Sequence, residues 1–131
     1  MDPVFLTLDE VVEIHRDQIA RYGGSEGIRD IGLLNSALAM PAATFGGQFL
    51  HSDLYEMAAA YLFHLVQNHP FLDGNKRVGA VAANVFLFIN DVHFAPDEDE
   101  YTELVLSVAT GKLKKAAIAE FLRANSKPLE E

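Results

Sequence analysis

The sequence predicts an all-α domain, a compact bundle of about six helices with one short hairpin. Two observations carry this. Apolar residues recur at helical spacing through several long segments, and cap signals stand at the ends of those segments. A third narrows it: β-favouring residues around a glycine pair occur in one short stretch only. The length of 131 residues, half of them hydrophobic, suits a single domain over 1–131 with a real core and argues against disorder.

Thr7-Leu8-Asp9-Glu10 reads as a capping box. The helix it opens runs to about Ala20 with Leu8, Val11, Val12, Ile14 and Ile19 inward, and Tyr22-Gly23-Gly24 ends it. Asp30 caps a second helix that stops before Pro41, and Arg29 with Asp30 reads as a local ion pair or cap, not as catalytic groups. The stretch 41–51 holds the glycine pair and reads as a hairpin or as an ordinary surface loop. Ser52 caps the next helix, over 52–68, whose Leu54, Met57, Ala58, Tyr61, Leu62 and Leu65 give an apolar face broad enough to be central. His64 within it reads as a packed core histidine, and His51 as no catalyst.

A further apolar helix begins near Asn75. Gly79, Ala80, Ala82 and Ala83 permit close helix approach, while Val85, Phe86, Leu87, Phe88 and Ile89 are expected in the core. Asn90-Asp91 is a turn, and the acidic run 97–100 suits the first turn of a helix that Gly111 stops after Thr110. A last helix spans about 114–124, and 126–131 is expected to fray.

Between the two most apolar helices lies His69-Pro70-Phe71-Leu72-Asp73-Gly74-Asn75-Lys76-Arg77, the motif loop 69–77. Free N–H groups and the positive dipole end make a helix start an anion site. Two cations there, Lys76 and Arg77, disfavour the helix unless a polyanion lies against it. Gly74 lets phosphate oxygens approach the backbone. Asp73 is a hard oxygen ligand suited to a magnesium ion shared with phosphates. His69 carries an imidazole, which changes charge between about pH 5 and 8 and suits a general base. The plainer alternative stays open on the residues alone: a structural histidine, an Asp-Gly-Asn turn, an asparagine cap and a solvated cationic face.

The nonapeptide HPFLDGNKR resembles the signature of the Fic/Doc fold, HxFx(D/E)GN(G/K)R, and its lysine variant is most similar to the death-on-curing (Doc) toxins. His15-Arg16-Asp17, Arg21-Tyr22-Gly23-Gly24, Gly27-Ile28-Arg29-Asp30 and Leu33-Leu34-Asn35-Ser36-Ala37-Leu38 also resemble Doc-type sequence. The likeness covers roughly 8–92; the C-terminal third matches in length and helical character only. It implies a Fic/Doc-type helical bundle in which the stretch 41–51 is the flap hairpin over the active site, able to hold a target peptide by strand addition.

It also implies the chemistry. Most Fic enzymes transfer AMP to a hydroxyl with a motif that continues as GNGRxxR. This chain has Lys76 in place of the second glycine and Ala80 in place of the second arginine. A long cation there obstructs the usual triphosphate placement. Doc toxins share the lysine, and the resemblance implies ATP bound inverted, with its γ-phosphate towards His69. The implied roles are His69 as catalytic base, Asp73 as Mg2+ ligand, and Gly74, Asn75, Lys76 and Arg77 as the phosphate site. The implied target is a threonine of elongation factor Tu. The alternatives are an adenylyltransferase on the same scaffold and a non-catalytic helical binding module, against which intact His69, Asp73 and Arg77 argue.

Some Fic proteins silence themselves with an inhibitory helix of pattern (S/T)xxxE(G/N). The nearest match here, Glu26-Gly27, has Tyr22 where Ser or Thr is required. Restraint is therefore expected from a cognate antitoxin, whose disordered C-terminal segment folds into a surface groove beside the first helix and the motif loop. A net charge of −9 argues against a nucleic-acid binder. The absence of cysteine excludes disulfides, thiol catalysis and zinc–cysteine sites and accords with the cytoplasm. No signal peptide is read at Met1-Asp2-Pro3-Val4, and the longest apolar run, 78–89, is too short to span a bilayer. A monomer is expected when the chain is free of its antitoxin.

Overall fold

The computed structural model describes residues 2–129. Among them are six helices: α1 Leu8–Tyr22, α2 Ile31–Ala39, α3 Leu54–Asn68, α4 Asn75–Ile89, α5 Glu98–Ala109 and α6 Lys115–Ala124. Two short antiparallel ladders complete the all-α bundle, β1 Thr44–Phe45 with β2 Gln48–Phe49, and β3 Val92–Phe94 with β4 Ser126–Pro128. None of these helices is long and apolar enough to cross a membrane.

α3 and α4 form the central pair, with α6 and α2 against α3 and α1 against α4. The pair is close because Gly79 has no side chain: a Cβ there would lie 2.8 Å from Val66 Cγ2 and 3.2 Å from the Leu62 carbonyl oxygen. Around it Tyr61, Phe71, Phe86, Leu34 and Leu65 are fully buried in one apolar cluster. Tyr61 also anchors the chain entering α1, its hydroxyl accepting from the Leu6 N–H at 2.8 Å. Burial pushes that phenol up to about 12.

The predicted capping box of α1 is present, with the Thr7 and Glu10 side chains each taking the other's backbone N–H. Asp30 and Asp97 cap α2 and α5. Four expectations fail. The cap of α3 is Asp53, whose Oδ1 accepts from Glu56 N–H at 2.8 Å, while Ser52 contacts the Glu56 carboxylate instead. Phe88 and Ile89 are 60% and 36% exposed. With Phe86 and Leu87 inward, a rotation of about 100° per residue turns the next positions out. The segment 126–128 does not fray, because it pairs with β3, whose Val92 and Phe94 point into the core. Residues 130–131 of that expected frayed tail lie outside the described residues.

The fourth concerns the hairpin. It forms where predicted, with Gly46 and Gly47 at φ 60 and 81, the positive values a two-residue turn requires. It does not lie over the motif loop. It sits beside the start of α3, its Phe49 ring 5.8 Å from that of Phe5, whereas His69 follows the other end of the helix. Fifteen helical residues, about 22 Å, lie between. Chain proximity to α3 does not decide which end of the helix a hairpin covers.

Candidate active site

The motif loop is a left-handed exit from α3 followed by a left-handed entry into α4. His69 closes α3 at φ 53, ψ 52, and Gly74 opens α4 at φ 81, ψ 15. No side chain caps α4, and its first intrahelical bond runs from Val78 N–H to the Gly74 carbonyl. The N–H groups of Asn75, Lys76 and Arg77 at this helix start are therefore left without intrahelical acceptors. Asp73 is exposed, its two oxygens accepting from Gly74 N–H at 2.9 Å and Ser25 N–H at 3.3 Å.

His69, Asp73, Gly74, Asn75, Lys76 and Arg77 all line one cleft of about 320 Å³. Every residue singled out in the motif is thus brought together, though not each in the manner foreseen. The Asn75 side chain is buried and turned inward: its Oδ1 accepts from Phe71 N–H at 2.9 Å and its Nδ2 donates to the Phe71 carbonyl at 3.0 Å. Only its main chain is left for a ligand. Arg77 spans to α1, donating to the carbonyls of Gln18 at 3.2 Å and Gly23 at 3.0 Å. Lys76 is exposed and has no ion pair among the described residues.

Residues the sequence reading gave no site role hold this loop. His15 is buried, stacks on Phe71 with ring centroids 4.0 Å apart and planes at 7°, and donates from Nε2 to the Asp73 carbonyl at 2.9 Å. Its spacing from Val11, Val12 and Ile19 marks an inward position on α1, which is the signal that could have found it. Gly24 passes against Asp73, where a Cβ would lie 2.6 Å from Oδ2. The strip 27–30 runs antiparallel to the loop: Leu72 N–H donates to the Gly27 carbonyl, and the N–H groups of Arg29 and Asp30 both donate to the Pro70 carbonyl. This strip, not the hairpin, is the extended segment beside the motif. Arg29, read as a local ion pair or cap, is a clamp, with Nε 2.7 Å from the His69 carbonyl and Nη2 3.1 Å from that of Asn68.

The other two α3-side histidines line no part of this cleft. Lys115 Nζ lies 3.2 Å from His51 Nε2 and 3.0 Å from His64 Nε2, tying α6 to α3. Burial, then the Lys115 ammonium and His51, push His64 down to about 4; burial and Lys115 also lower His51. Both rings fold in the neutral form, so their contribution to stability is complete above about pH 6.5 and is lost as pH falls towards 4. His64 is half-buried, so solvent screening keeps its share to about 1–2 kcal/mol. Urea titrations at pH 7 and pH 4.5 should show this loss, and His64→Gln should flatten it.

A model of the Fic/DOC family matches residues 5–87. The chain belongs to the Fic/Doc family. It is 44% identical over 91 residues to the Toxin Doc of Mycolicibacterium smegmatis, covering 68% of this chain and 70% of that protein. It is 32% identical over 115 residues to the Protein kinase doc of Escherichia phage P1, covering 88% and 90%. A Fido domain-containing protein of Dictyostelium discoideum is 43% identical over 54 residues, 38% of each chain. The Fic/Doc match takes in α1 to α4 apart from the last two residues of α4, which includes the motif loop and the α1 and 27–30 supports around it.

Proposed function

We propose that this chain is the toxin of a toxin–antitoxin pair, transferring the γ-phosphoryl group of ATP to a Thr or Ser hydroxyl of a translation factor, elongation factor Tu in the first instance. The observation that carries the reading is one cleft lined by an exposed histidine and by an uncapped helix start bearing Lys76, with Ala80 one turn on. Similarity to proteins named Toxin Doc and Protein kinase doc supports it.

His69 takes the proton of the acceptor hydroxyl, whose oxygen attacks the γ-phosphorus as ADP leaves. The N–H groups of 75–77 and the Lys76 ammonium bind and orient the triphosphate and meet the charge of the transferring group, the positioning and electrostatics that phosphoryl transfer requires. Arg77, half committed to α1, adds charge and holds α4 at the cleft. Asp73 fits a magnesium ion. It is an exposed carboxylate in the cleft, a hard oxygen donor that would hold a magnesium ion shared with substrate phosphates. Bound there, Mg2+ would neutralise phosphate charge.

The antitoxin segment belongs, on this reading, in the depression between α1 and the loop, where Val12 and Ile28 offer apolar anchors beside Arg16 and Glu26. The reaction would proceed in the cytoplasm, with the translation machinery.

The deciding experiment supplies purified protein and elongation factor Tu with ATP labelled separately at the α and γ positions. Transfer of γ-label and a mass gain of one phosphate are expected; a gain of one AMP would make the chain an adenylyltransferase, and no transfer to any translation factor would remove this proposal. In the same assay Lys76→Gly should lower γ-label transfer by about 10-fold or more, as one charge-assisted contact is lost. It should not create strong α-label transfer, because Ala80 still provides no outer-phosphate contact.

A further inference from the structure

The imidazole that the proposed chemistry needs is held by no other side chain. Among the described residues no hydrogen bond reaches a ring nitrogen of His69; Arg29 bonds its main-chain carbonyl instead. Nucleophile-activating bases usually have a third group to orient the ring. Here the direction of the ring is set by the backbone of an exposed residue in the left-handed region. That conformation is uncommon for a residue with a Cβ and persists only where its surroundings enforce it.

The enforcing contacts come from one short segment. Arg29 Nε donates to the His69 carbonyl at 2.7 Å and Nη2 to the Asn68 carbonyl at 3.1 Å. These are terminal α3 carbonyls, which lack intrahelical donors, and a planar guanidinium fork suits the negative end of the helix. The next carbonyl, Pro70, accepts the N–H groups of Arg29 and Asp30 at 2.7 and 3.0 Å. Asn68 is fixed in turn by its side chain, which donates to the Leu33 carbonyl at 3.0 Å. Arg29 lines no part of the phosphate cleft. The phosphate side of the loop is held separately, by Asn75 on Phe71 and by Arg77 on Gln18 and Gly23.

We propose that Arg29 is a positioning residue for the transfer reaction: by bridging the carbonyls of Asn68 and His69 it keeps His69 in the left-handed conformation that aims the imidazole at the acceptor hydroxyl. This rests on the phosphotransferase reading above. It follows that Arg29 acts on the rate of the chemical step and not on nucleotide affinity.

The test is a kinetic cycle with a structural readout. Arg29→Ala should lower kcat for label transfer by about 10–100-fold, the scale of a displacement near 1 Å, with KM for ATP changed less than about threefold. Arg29→Lys, able to reach one carbonyl, should recover part of the rate and serves as the working variant if the alanine protein folds poorly. In a His69→Ala background, Arg29→Ala should cost nothing further, since its effect runs through the ring. NMR couplings at residue 69 should report loss of the positive φ in Arg29→Ala. Wild-type kcat in that variant, an equal loss in both backgrounds, or a rise in KM alone would overturn the proposal. If the wild-type protein transfers no group from ATP, the proposed function fails, and the clamp is judged on the φ of residue 69 alone: an unchanged left-handed value in Arg29→Ala overturns it.

Discussion

His69→Ala is expected to stay folded and to lose transfer activity by about 10²–10⁴-fold, the usual cost of removing a general base. The residue is exposed and its ring makes no hydrogen bond among the described residues, so little stability goes with it. His69→Gly sharpens the point. At φ 53 a glycine relieves the left-handed conformation, so this variant should be equally inactive yet as stable as wild type or up to about 1 kcal/mol more so. Such an exchange of stability for activity is what a strained functional position predicts. Growth of cells expressing each variant, beside label transfer by the purified proteins, checks both halves. Arrest of cells by soluble His69→Ala protein would show that another group is the base.

Asn75→Ala should do the opposite and damage fold and site together. Its buried amide is the partner of both main-chain groups of Phe71, at 2.9 and 3.0 Å. Truncation leaves a buried N–H and a buried carbonyl without partners, which costs about 2–4 kcal/mol in all. Phe71 is fully buried against His15, so a loosened backbone there also shifts the Asp73 carbonyl that His15 holds. The urea midpoint should fall with an unchanged m-value, and ATP binding should weaken because the helix start is displaced. Asn75→Asp keeps the acceptor for Phe71 N–H and loses the donor to its carbonyl, so it should fall between wild type and alanine. A wild-type midpoint for Asn75→Ala would show that the amide does not support the loop.

Much of the fold and of the candidate site was legible because the signals are local. A capping box needs four residues, a two-glycine turn needs two, and the motif sets its base, its carboxylate and its helix start within nine. The helices of the bundle follow from apolar spacing along each segment, read without knowing what covers it. Gly79 was legible as a site of close approach for the same reason, as a small residue on an otherwise apolar helix.

Part of what failed in the reading depended on partners distant in the chain. The segment 126–128 carries no strand signal of its own and is ordered by Val92 and Phe94, more than thirty residues earlier. The hairpin was found, but which end of α3 it covers is set by Phe5 and the packing of the first residues. For Asn75 the cause is local: burial turns its side chain onto Phe71, four residues before it, and leaves its main-chain N–H at the cleft. By itself, then, the sequence determined the helical class, the starts of α1, α2 and α5 and the chemical character of the motif loop, since each depends on residues within a few positions of one another. Only the tertiary structure decided how that loop is held: His15, Gly24 and Arg29 lie 39 or more positions before the loop atoms they meet, and neither spacing nor composition carries a contact made across that distance.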